Sequence, residues 1–162
     1  MGSKEEEASL NMNPEEIIES IRRDSAEDAD GAQLILDWWR EGFGAPKCTE
    51  KGYCIVAEFT LRSVAFTPFA IQKARKRALY VYLDNIRATS PFDVDENWRE
   101  FRRRLHGIPG GHWSETDERR FSRAKLSDFS NADTRNAFFE LVRWSINQVT
   151  ATVATNSSSS IP

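Results

Sequence analysis

The chain has little of what marks the commoner functional classes. It contains two cysteines and two histidines in 162 residues. Two thiols, Cys48 and Cys54, are too few to staple a secreted disulfide scaffold and point to a reducing, cytoplasmic compartment, with the nucleus as an alternative in a eukaryotic cell. No run of about 18 apolar residues occurs, and no basic leader precedes an apolar one, which argues against a membrane span and a secretory signal. A phosphate-binding loop with its terminal lysine-serine pair, an internal repeat and a sustained heptad are all missing from the pattern.

What the chain does have is aromatic and charged. Five Trp and ten Phe accompany a 40% hydrophobic content, which excludes wholesale disorder. The net charge of -3 hides an asymmetry. Residues 1–59 hold 6 Lys or Arg against 14 Asp or Glu, a balance of -8, while residues 60–125 hold 14 against 8, a balance of +6. Such polarity steers a polyanion to the centre of the chain, or lets the acidic part lie against the basic part within one fold. The second, intramolecular reading is preferred.

The expected fold class is α+β: a single compact domain of about four to five helices packed with a small, mainly antiparallel sheet. Residues 1–12 read as a flexible acidic tail, 13–150 as the globular domain, and 151–162 as a flexible Ser/Thr-rich tail. Asn13-Pro14-Glu15-Glu16 gives a cap, a first-turn proline and an acidic third position, so a helix follows with Ile17, Ile18 and Ile21 inward. Asp30 is the expected cap of a second helix, with Leu34, Ile35 and Trp38 as its apolar stripe and Gly42 at its end. Phe43 to Lys51 reads as loop. Tyr53 to Leu61 alternates as a strand apolar on both sides, apart from Glu58, which needs a basic partner or water.

The longest periodic stretch runs from Val64 to Ala88. Ser63 to Phe66 reads as a short strand, and Thr67-Pro68 as the start of a continuous helix, with Ile71, Ala74, Ala78, Leu79, Tyr82 and Ile86 on one side and Ser90-Pro91 as the stop. A rival partition ends a short helix near Arg77-Ala78 and continues as a strand over Leu79 to Leu83. Further on, Asp93 caps a helix whose inward face is Trp98, Phe101 and Leu105. Arg119 to Phe129 alternates as an edge strand, with Phe121, Arg123, Lys125 and Ser127 on one side. Asn131 or Asp133 starts a last helix that buries Phe138, Leu141, Val142, Ser145, Ile146 and Val149.

For chemistry the sequence offers combinations rather than motifs. Cys48, Cys54, His106 and His112 can be drawn as a zinc set, but five residues separate the members of each pair, wider than structural sites favour. Cys54 with either histidine, or Glu58 with His112, can be drawn as an acid-base or nucleophilic pair, with nothing to fix the distances. A small hydrolase or nuclease-like enzyme is therefore a minor alternative. No residue is assigned to catalysis, to a metal or to a cofactor. The glycine-rich stretch His106 to Trp113 reads as a plain connection.

Two binding readings remain. The leading one is a non-enzymatic interaction or regulatory protein that contacts another protein, or a second copy of itself, through charged and aromatic surfaces and has no membrane partner. The aromatic set is Trp38, Trp39, Trp98, Trp113 and Trp144, of which Trp39 and Trp113 join the candidate binding surface. The alternative is nucleic-acid binding through three basic groups: Lys73, Arg75, Lys76 and Arg77; Arg99, Arg102, Arg103 and Arg104; and Arg119, Arg120, Arg123 and Lys125. The acidic pI of 5.5 and the lack of a standard nucleic-acid module weigh against it.

Overall fold

Asn13 accepts a hydrogen bond from the Glu16 backbone N–H, Pro14 fills the first turn, and helix α1 runs over Pro14–Asp24 with Ile17, Ile18 and Ile21 buried. The computed structural model describes residues 12–49, 52–73, 77–111, 113 and 121–159, the last three without their side chains. Among these residues the chain forms five helices and a five-stranded antiparallel sheet in one α+β domain.

Helix α2 (Ala26–Phe43) starts earlier than Asp30, because Ser25 takes the cap and accepts from the Asp28 N–H. Its inward face also differs from the expected one. Ala29, Ala32, Ile35, Leu36 and Trp39 are buried, whereas Leu34 is 40% exposed. The reason is close packing on small residues: a Cβ at Gly31 would sit 1.9 Å from the Leu126 carbonyl oxygen. The 3-10 turn Leu126–Ser130 therefore approaches α2 where its side chains are smallest. A stripe drawn through the largest residues misses that face.

The sheet is a meander in the order β1 (Lys47–Cys48), β2 (Cys54–Leu61), β3 (Val64–Gln72), β4 (Ala78–Val81) and β5 (Ser122–Lys125). The short β1 lies within the expected Phe43 to Lys51 loop and pairs with Ile55 and Val56. Strand β2 falls where alternation places it, with Glu58 tied to Lys47 of β1. The continuous helix expected from Thr67 does not form. Among the described residues, the stretch from Val64 to Ala88 holds β3, β4 and the short helix α3 (Leu83–Arg87).

The physical reason for this correction is a bulge. Ala57 pairs with Phe69 but Phe59 with Phe66, so Thr67 and Pro68 together oppose Glu58. A proline in a central strand is tolerated there, where the ladder is already broken. The extra residue puts Phe66 and Phe69, three apart, into one core with Ile71. That spacing imitates helical periodicity. Leu79 and Val81 of β4 complete the same face by ordinary alternation.

Helix α4 (Asp95–His106) has Val94 rather than Asp93 in the cap position and buries Phe101 and Leu105, with Trp98 half-buried beside them. On β5, Ser122 and Ala124 are buried while Arg123 and Lys125 point away. Asn131 accepts from the N–H groups of Asp133 and Thr134 and opens α5 (Ala132–Ser159). All six expected stripe residues of α5 are buried. The helix continues through Ser159, so the flexible tail expected from 151 is helical to that point. Thr152 and Thr155 donate their hydroxyls to the carbonyls of Gln148 and Ala151, which satisfies polar groups that otherwise favour a break.

The buried side chains of all five helices join one cluster with Ile55, Ala57, Phe69, Ile71, Leu79, Val81 and Ala124 on one face of the sheet. Cys54, Ala70, Ala78 and Tyr80, on the opposite face, are buried but lie outside that cluster.

Candidate interaction surfaces

The basic groups are met first by the chain's own acids. Arg77 reaches Asp24 at 3.4 Å and Asp28 at 3.3 Å, so acidic residues of α1 and α2 lie against the centre of the chain. Glu100 accepts from Arg103 (2.7 and 2.8 Å) and from Arg104 (2.8 Å). These bonds, Arg103 first, pull its carboxyl down to about 2. Lys73 Nζ lies 3.3 Å from Met12 Sδ. Asp95 sits below the usual carboxylate range chiefly through its bond from Arg87, with Arg99 adding a smaller attraction. Arg102 is likewise engaged within the fold. Arg75, Lys76, Arg119 and Arg120 lie outside the described residues.

Register brings part of the basic set together. Gln72 pairs with Ala78 and Ala78 with Lys125, so Lys73, Arg77 and Lys125 share one end of the sheet, and Arg123 sits two residues further along β5. Arg99 and Arg102 to Arg104 stand on α4, which packs on α5. Neither Arg123 nor Lys125 makes an ion pair among the described residues.

The tryptophans divide by burial. Trp39 is 1% exposed, packed against Phe43 and Phe69. It belongs to the core and offers no surface anchor, which corrects its place in the candidate set. Trp113 is half-buried against Phe129 and Phe138, with a buried Nε1 that has no acceptor among the described residues. The other three are half-buried and each lies under an arginine. Arg104 stands 4.2 Å from the Trp144 ring centre, Arg143 5.5 Å from Trp38, and Arg87 5.7 Å from Trp98. Two of these arginines also hold a carboxylate, Arg87 with Asp95 and Arg104 with Glu100. The result is two carboxylate–guanidinium–indole stacks, joined underneath by Phe92 and Phe101. Sequence reasoning named Trp98, Trp144 and Arg104 but gave Arg87 no role. The signal it lacked is the fold itself, which brings α3, α4 and α5 side by side.

The glycine-rich stretch is used in packing. Thr134 Oγ1 donates to the Pro109 carbonyl at 2.6 Å, and Gly110 has φ +71°, where a Cβ would stand 2.7 Å from that hydroxyl oxygen. The loop thus seats the end of α4 on the start of α5.

The drawn chemical sets find other neighbours. Burial pushes the Cys54 thiol up, against the opposing effect of hydrogen bonds with Gln72 and Tyr82, so it stays protonated at neutral pH. Burial, with the nearby Cys54, also pushes the Tyr82 hydroxyl up to about 12. Cys48 is raised by burial and by Glu15 and Glu16. His112 of the drawn zinc set lies outside the described residues, and among those described no three His, Cys, Asp or Glu side chains are grouped to hold a metal. No described helix is long and apolar enough to cross a membrane.

In comparisons with family models, curated proteins and solved structures, the chain matches none.

Proposed function

We propose that this chain is a non-enzymatic interaction domain that works by contact with another protein, or with a second copy of itself, in the cytoplasm or nucleus. The observation that supports this reading is the pair of stacks Asp95–Arg87–Trp98 and Glu100–Arg104–Trp144. An indole held under a guanidinium that is itself held by a carboxylate loses little freedom on binding. It offers a partner both an apolar ring and unused N–H donors. Trp and Arg are the residue types that dominate interface energetics.

The nucleic-acid reading draws on Lys73, Arg123 and Lys125 at one side of the sheet. It is weakened because Arg77, Arg103 and Arg104 already spend their charge on acids of the same chain. The enzyme reading has a protonated, buried thiol and a Glu58 paired with Lys47 as its best residues, and neither is poised for reaction.

The test is affinity capture from the native cell with the wild-type chain and the Trp98→Ala/Trp144→Ala variant in parallel, each with and without nuclease. The reading expects a protein retained by the wild type, lost from the variant and indifferent to nuclease. Capture that nuclease abolishes would replace it with the nucleic-acid reading.

A further inference from the structure

Among the described residues the fifth strand is the last in the sheet and is paired only with β4. Its side chains alternate sharply. Ser122 and Ala124, both small and buried, face the helices; Arg123 half-buried and Lys125 exposed face the other way, beside Tyr80 and Phe121. The two cations are uncommitted among the described residues, unlike Arg77, Arg87, Arg103 and Arg104. An edge strand with basic side chains is commonly a guarded edge, protected against pairing with its own kind. Guarding by charge is selective, however. Two copies of β5 side by side bring Arg123 and Lys125 against like charge, whereas a strand with carboxylates at those positions is attracted.

We propose that β5 accepts an extended segment of a partner protein as a sixth strand, and that the segment alternates acidic with apolar residues. Its acidic side chains lie beside Arg123 and Lys125. Its apolar side chains lie on the helix side, beside Ser122 and Ala124. Backbone pairing supplies affinity, and the alternation supplies register, since a slip by one residue sets carboxylates against the core and apolar groups against the cations. This inference rests on the reading of the chain as a protein-contact domain, and it names the chemistry of one partner.

The experiment is a titration of the isotope-labelled full chain, followed by amide shifts and hydrogen exchange. The probes are two short synthetic peptides, one alternating Asp with Val and one alternating Lys with Val. The acidic peptide is expected to shift the amides of Ser122 to Lys125 and slow their exchange, while the lysine peptide leaves them unchanged. The Arg123→Glu/Lys125→Glu variant is expected to weaken the acidic peptide by about tenfold or more and to gain the lysine peptide. Arg123→Gln/Lys125→Gln, which removes charge without reversing it, falls between. Equal shifts with both peptides, or no shift at residues 122–125, overturns the inference. Shifts at Trp98 and Trp144 instead overturn it while leaving the protein-contact reading in place. Failure of the capture experiment together with silence at both surfaces removes both.

Discussion

Asp28 holds Arg77 with one carboxylate oxygen, at 3.3 Å, and the Ser127 backbone N–H with the other, at 3.1 Å. Three segments far apart in the chain, α2, the start of β4 and the 3-10 turn, are pinned by this one largely buried side chain. Asp28→Ala leaves a backbone donor and a half-buried guanidinium short of their partner and is expected to cost about 1–3 kcal/mol. Asp28→Asn keeps an acceptor and costs less. Urea unfolding midpoints of the two variants check the order.

The same contact changes what a charge reversal at 73–77 reports. Arg77→Glu sets a carboxylate against Asp24 and Asp28, and a lower thermal midpoint is expected whatever the partner. Lys73→Glu and Lys125→Glu, which break no ion pair among the described residues, are expected to leave the midpoint nearly unchanged. Equal losses in all three variants would refute this separation.

Gly31→Ala places a Cβ on the Leu126 carbonyl oxygen, 1.9 Å away, with backbone on both sides of the clash. Overpacking of this kind is expected to cost about 1–3 kcal/mol, although alanine is the better helix former. A stability equal to or above wild type in chemical denaturation would show that the turn can retreat.

The Tyr82 hydroxyl reaches Cys54, and on the same face of the sheet Ala70 of β3, paired with Val56 and Tyr80, is fully buried. A larger side chain in that place must displace what covers this face of the sheet. Ala70→Leu is therefore expected to lift Tyr82 and to raise the rate at which a thiol reagent labels Cys54. In the wild type, Cys54 is expected to react more slowly than the half-buried Cys48.

Tyr82 also sets a pH dependence. Its hydroxyl titrates near 10 in the unfolded chain and is pushed up to about 12 in the fold, so between those values the folded state keeps a proton that the unfolded state has lost. Stability then falls as pH rises from about 10 and levels off above about 12. Tyr82→Phe is expected to flatten that part of the profile, measured as unfolding free energy at stepped alkaline pH.

What the amino-acid order determined alone was local and repetitive. The cap and isoleucines of α1, the alternation of β2 and the six-residue stripe of α5 each express one period over a short span, and each is where that period puts it. The strand expected over Arg119 to Phe129 is a strand at Ser122–Lys125 and a 3-10 turn from Leu126, where the chain folds back onto α2. Tertiary structure decided the rest. Helix α2 turned toward its small residues because a carbonyl had to pass close to Gly31. The Thr67-Pro68 pair became a bulge rather than a helix start because β2 and β4 offered Phe66, Phe69 and Ile71 a common apolar face. The tryptophan stacks exist only where α3, α4 and α5 converge. In each case the deciding partner lies on another element of the fold, and no local period records it.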